Sequence, residues 1–132
     1  MACDACRKNG GDCVAKDDTK TVIDKVYAAD AVIFGTPAYW SGMSSQLKAV
    51  IDKFYSKTQQ LKGQNKKVGV IAVGTADVAD IQYALISDQI RSMMDFLGWD
   101  VRFSLSYSAT APGDLQKSEK AAKELSEAWK QL

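Results

Sequence analysis

The sequence predicts an α/β domain built on a parallel sheet with helices on both faces. Three observations carry that expectation. AVIFG (31–35) and KVGVIAVG (67–74) are short apolar runs rich in β-branched residues, each ending in glycine, the form of strands buried on both faces. WDVRFSLSY (99–107) alternates like a third strand. Apolar residues at helical spacing fill the intervals between these tracts. Strands separated by helices of this length are joined by crossovers, which makes the sheet parallel.

Each element has its own signal. Residues 1–17 hold three cysteines and a Gly-Gly pair and read as irregular. From Asp18 onward, Val22, Ile23, Val26 and Tyr27 mark a helix, with Asp17 or Asp18 as its N-cap. After the strand 31–35 comes a loop, 35–43. Met43, Leu47, Val50, Ile51 and Phe54 then stripe a second helix that starts near Ser41 or Gly42. Residues 57–66 are polar and contain Gly63, so a loop is expected there. Ile81, Ala84, Leu85, Ile90, Met93, Met94 and Leu97 form a long helix stopped by Gly98. Ala121, Ala122, Leu125, Ala128, Trp129 and Leu132 stripe the last one.

At 132 residues the chain is expected to be one domain, 1–132. Seventeen basic and sixteen acidic residues nearly cancel, so no global field recruits nucleic acid or anionic lipid. No apolar run reaches the ~18 residues of a membrane span, and a cytoplasmic protein without membrane or nucleic-acid partners is expected. There is no histidine. That removes the commonest general base and the histidine-dependent nucleophile pairs. Catalysis must then rest on carboxylates, lysines, thiols or a borrowed cofactor.

In a parallel sheet, ligands bind beyond the carboxyl ends of the strands. Three loops lie there: 35–43, 74–80 and 108–114. Only the first carries two adjacent aromatic rings, in Gly35-Thr36-Pro37-Ala38-Tyr39-Trp40-Ser41-Gly42. Hydroxyls and backbone amides there suit a polar ring edge, while Tyr39 and Trp40 suit the faces of a planar group. The alternative role for the two rings is to cap the core or cover a dimer contact.

GTPAYWSGMSSQLKAVIDKFY (35–55) resembles the signature of the flavodoxin-like NAD(P)H-dependent FMN reductase family. The matching positions are Gly35, Thr36, Pro37, Tyr39, Ser44, Leu47, Lys48, Asp52 and Lys53. Cys3, Cys6 and Cys13, followed by Asp17 and Asp18, match the segment that leads into this region in many members. The resemblance implies a three-layer α/β/α sandwich and an FMN-dependent reaction. A hydride passes from NAD(P)H to the flavin, and electrons then pass to a quinone, free flavin or similar acceptor. By position, Thr36, Pro37, Ala38, Tyr39, Trp40, Ser41 and Gly42 would support the flavin ring, with Gly74 and Thr75 as a second flavin-side loop. Flavin N5 accepts the hydride itself, so no protein acid or base is required. A chain without histidine is compatible with that.

The family carries a further strand–helix–strand unit before the cysteines, with its first strand central to a 2-1-3-4-5 sheet and its first loop around the FMN phosphate. No counterpart is legible in this chain, whose strands correspond to the family's third, fourth and fifth. Two expectations follow. The strand 31–35 becomes an open apolar edge, to be covered in a homodimer or other oligomer. The second is an alternative function, that of a non-catalytic remnant or subunit that no longer binds FMN and serves in assembly.

The remaining candidates point to structure. The Cys3-x-x-Cys6 spacing with Cys13 suggests a metal or redox site. Related iron–sulfur flavoproteins use four cysteines here, and three thiols are one short, so reduced thiols are expected. Asp52 and Lys53 are expected in surface ion pairs, and Asp77, Asp80 and Asp88 in helix caps or solvated faces. Lys57, Lys62, Lys66 and Lys67 are expected to form a modest basic surface.

Overall fold

A computed structural model describes residues 3–132; the first two residues of the expected irregular segment 1–17 lie outside it. After a 3-10 turn at Ala5–Lys8 come α1 (Thr19–Ala28), β1 (Ala31–Tyr39), β2 (Gly42–Met43) and α2 (Ser45–Asp52). A 3-10 turn at Lys53–Lys57 leads into α3 (Thr58–Leu61), β3 (Lys67–Gly74), α4 (Ile81–Leu97), β4 (Asp100–Ser108) and α5 (Glu119–Ala128). The sheet runs β2-β1-β3-β4. β1, β3 and β4 are parallel, with Phe34 beside Val70 and Val70 beside Ser104, and a bulge falls at Val68/Gly69. The architecture is the expected flavodoxin-like α/β fold.

One face of the sheet holds the main core. Phe34, Val70 and Ala72 meet Ile23 of α1, Ile51 of α2 and Ile86, Ile90 and Met94 of α4. The long helix α4 forms as expected. The Asp80 carboxylate accepts from Gln82 N–H at its start, and Gly98 ends it at φ +72°, a conformation that favours glycine. On the opposite face Phe103 lies directly over Gly69, where an added Cβ would come within 2.2 Å of the ring. Tyr107 is buried on that face beside Glu124 of α5.

The structure corrects several expectations. The tract 31–35 is not buried on both faces, because Ile33 is 48% exposed and Gly35 and Pro37 are exposed beside it. Cover on the second face reaches β3 and β4 but not β1. The tract also runs on to Tyr39, so the loop expected over 35–43 is instead a β-hairpin. Ala38 pairs with Met43 and Tyr39 with Gly42. Trp40 and Ser41 form its two-residue turn at φ +47° and +61°, the mirror-image geometry that matches strand twist. That turn ordinarily announces itself through Asn or Gly, which are missing from both positions. Met43 therefore belongs to β2, and α2 starts at Ser45, with Ser44 Oγ accepting from Leu47 N–H (3.3 Å). Similarly, 57–66 contains a helical turn, α3, anchored by fully buried Leu61.

Candidate functional site

The carboxyl ends of β1 and β3 open into a cavity of about 680 Å³ lined by Ala38, Tyr39, Trp40, Ser41, Thr75, Ala76, Asp80 and Gln82. It is a shallow depression, open to solvent along the hairpin. The hairpin presents Tyr39, 61% exposed, and Trp40, fully exposed, at its rim. What sets this pair apart from other exposed aromatics such as Trp129 and Phe96 is that the two rings are adjacent and lie at the carboxyl end of a parallel strand. The hairpin is fixed from within. Thr36 Oγ1 accepts from Ser44 N–H (2.9 Å) and donates to the Pro37 carbonyl (2.8 Å).

Of the residues singled out in the sequence, the structure brings Ala38, Tyr39, Trp40, Ser41 and Thr75 to one cavity. Thr36 is buried, and its hydroxyl is engaged in the hairpin. Pro37 lies exposed along β1, and Gly42 pairs within the hairpin. Gly74 sits beneath the cavity floor, where an added Cβ would meet Tyr83 Oη at 2.8 Å and Ala38 Cβ at 3.0 Å. The loop 108–114 contributes no lining residue to this cavity.

Tyr83 braces that floor. Its hydroxyl lies within hydrogen-bonding distance of the carbonyls of Ala76 (3.0 Å) and Tyr107 (3.2 Å), tying α4 to the ends of β3 and β4. Burial, and then the nearby Asp80 carboxylate, push the phenol above its ordinary range, so it remains a protonated donor. Asp80, Gln82 and Ala76 were not singled out as binding residues from sequence. An aspartate one residue before a helix reads as a cap, which Asp80 also is.

The cysteines lie elsewhere. Cys3, Cys6 and Cys13 are free and line a second cavity of about 850 Å³ with Asp4, Val14, Ala15, Asp52, Lys53, Tyr55 and Ser56. Among the described residues, no three His, Cys, Asp or Glu side chains are grouped to hold a metal ion. The segment is latched by charge. Tyr55 Oη donates to Asp4 (2.7 Å) and accepts from Arg7 (2.6 Å). Lys57 and Lys20 each bridge Asp12 and Asp24. Hydrogen bonds from these two lysines hold both carboxyls below their usual range.

The expected ion pairs form, Asp52 with Lys48 (2.5 Å) and Lys53 with Asp17 (3.3 Å). The expected basic surface does not. Lys57 is paired as above, Lys62 lies over the Phe96 ring (4.6 Å), and Lys67 donates to the Leu132 carbonyl (2.5 Å). Lys66 is buried and donates to the carbonyls of Tyr27 and Ala29 at the end of α1.

Fold and topology define a flavodoxin-like α/β protein, open at the carboxyl ends of its strands. Residues 2–101 match the NADPH-dependent FMN reductase family, and the chain belongs to that family. An iron–sulfur flavoprotein of Methanocaldococcus jannaschii is 33% identical over 76 residues, which are 58% of this chain and 39% of that protein. A Bacillus subtilis protein described as an NAD(P)H-dependent FMN-containing oxidoreductase is 28% identical over 119 residues, 85% of this chain and 65% of that one. The chain thus spans less than two thirds of either relative. Among solved structures, the Trp repressor binding protein of Bacillus subtilis superposes with a TM-score of 0.73 at 27% identity, covering 84% of this chain and 75% of that one. A general stress protein of Treponema denticola, solved in complex with FMN, shares the fold with a TM-score of 0.69 at 15% identity, over 89% and 75% of the two chains.

Proposed function

We propose that this chain is an FMN-dependent NAD(P)H oxidoreductase that passes a hydride from NAD(P)H to flavin and then electrons to a small acceptor such as a quinone or free flavin. The observation that carries the reading is the cavity at the ends of β1 and β3, rimmed by exposed Tyr39 and Trp40. Its donor set suits a flavin ring. Tyr39 and Trp40 offer aromatic faces, while Ser41, Thr75 and Gln82 offer hydrogen-bonding groups for a polar edge. When bound, the flavin supplies the two-electron chemistry. The protein's task is to hold the ring, exclude water from its face and keep Tyr83 protonated beneath. Three free cysteines fit a reducing compartment, the cytoplasm.

The second reading is a non-catalytic subunit that serves in assembly, covered along strand 31–35 in a homodimer or other oligomer. The composition of the same cavity favours it. Among the described residues, no lysine or arginine lines it, and Asp80 places a carboxylate there, so the cavity offers an anionic ligand no positive charge. The two readings separate on adding FMN and NADPH to the purified chain. The enzyme consumes NADPH in proportion to bound FMN, and the remnant leaves both free.

A further inference from the structure

We propose that Asp80 sets the acceptor of this site by charge: the site takes an uncharged planar ring, such as a quinone, and turns away one whose ring carries a sulfonate, carboxylate or phosphate. This deepens, and rests on, the reading that the chain is an FMN-dependent NAD(P)H oxidoreductase. Asp80 lies in the bend from β3 into α4 and lines the cavity together with the aromatic hairpin. Among the described residues it is the one charged side chain there. Elsewhere in the fold, carboxylates such as Asp12, Asp17, Asp24, Asp52 and Asp100 are matched by a lysine or arginine. Among the described residues, no salt bridge reaches Asp80. Its Oδ1 accepts from Gln82 N–H (2.9 Å), a bond that fixes the carboxylate without cancelling its charge.

A second carboxylate reinforces the first. Asp77 Oδ1 accepts from Ala79 N–H (2.8 Å) and the Asp77 carbonyl from Asp80 N–H (2.8 Å), so one short turn holds both acids. Their field reaches the cavity floor. The Tyr83 phenol there is pushed up by burial first, then by Asp80, and by Asp77 as well. A ring stacked on Tyr39 or Trp40 therefore meets negative potential from the α4 side, with no opposing charge in the described lining. A like charge on that ring costs free energy, which the site spends on specificity. The proposed reaction is compatible with this field. NAD(P)H, one proton and a quinone give NAD(P)+ and a hydroquinone. The hydride carries two electrons and one proton from the nicotinamide, and solvent supplies the second proton. The nicotinamide ring enters uncharged and leaves as a cation, while quinone and hydroquinone are both uncharged. Neither donor nor acceptor brings a like charge on its ring to Asp80.

The test uses the 132-residue chain with FMN and NADPH, and reads kcat/KM for a naphthoquinone and for the same ring bearing a sulfonate. Asp80→Asn removes the charge and keeps a side chain that caps a helix; circular dichroism confirms that it folds. The wild type should favour the uncharged quinone. Asp80→Asn should narrow that preference at least ~3-fold at low salt, a change that fades at about 1 M salt, where charges are screened within ~3 Å. Asp88→Asn, on α4 outside the cavity lining, should leave the preference as it is. A second readout needs no flavin. In a Trp129→Phe background Trp99 is buried and Trp40 is fully exposed, so quenching of tryptophan fluorescence reports Trp40. The ratio of iodide to caesium quenching should rise ~2-fold in Asp80→Asn. No NADPH oxidation with either quinone overturns the oxidoreductase reading and the acceptor with it. Turnover with the same preference in wild type and Asp80→Asn, or an unchanged quenching ratio, overturns the charge selection alone.

Discussion

At the amino ends of β1, β3 and β4 the chain closes on itself, while at the carboxyl ends it stays open. Trp99 leads into β4 fully packed, its indole N–H donating to the Leu61 carbonyl (2.9 Å) and its ring 6.0 Å from that of Phe54. Lys66 enters β3 buried, its ammonium spent on carbonyls at the end of α1. At the other end Tyr83 and Tyr107 are buried, but the hairpin's Tyr39 and Trp40 face water. The same parallel backbone therefore stores stability at one end and presents groups to a ligand at the other. Parallel sheets divide labour this way because their loops converge at the carboxyl ends.

Breaking the closed end carries the largest expected effect. Trp99→Ala should cost about 3–5 kcal/mol in urea unfolding, the range for removing a large buried aromatic. Next comes Lys66, whose pKa burial depresses below its usual 10.5 despite an opposing contribution from Asp30. As pH rises from the depressed folded value towards 10.5, the unfolded chain still binds this proton and the folded chain does not. Stability of the wild type relative to Lys66→Met should therefore rise across that window, measured by unfolding at matched pH values.

The charge latch on the cysteine segment should give a smaller, local effect. The Asp12 and Asp24 carboxyls are held below 3.8 in the fold, so their contribution is present above that value and is lost as pH falls through the lowered ones. Hydrogen exchange should show residues 3–17 opening below about pH 4 while β3 stays protected. The smallest effect on stability belongs to the open end. Trp40→Ala should change unfolding free energy by less than about 0.5 kcal/mol, as expected where a side chain packs against little.

How much was legible in the sequence follows the same division. β3 and α4 could be read at their bounds because burial forces an unbroken apolar run or a full helical stripe. The hairpin could not, since Trp40 and Ser41 carry none of the glycine or asparagine that signals such a turn. α3 was missed because only Leu61 in it is apolar, too little for a period. Lys66 looked like its exposed neighbours, and only the packed structure separates a buried lysine from a solvated one. At the site, the aromatic pair stood out by type and position. Asp80 and Gln82 did not, because the bend that turns the chain from β3 into α4 brings them to the cavity.

The central claim is that exposed aromatics at the open end hold a flavin ring. Its most direct test is an FMN titration followed by flavin fluorescence, on the wild type and on Trp40→Ala. Saturable quenching by the wild type, weakened at least ~10-fold (about 1.4 kcal/mol) in Trp40→Ala with unfolding unchanged, is the predicted result. No saturable binding at millimolar FMN, or equal binding by both proteins, would contradict it.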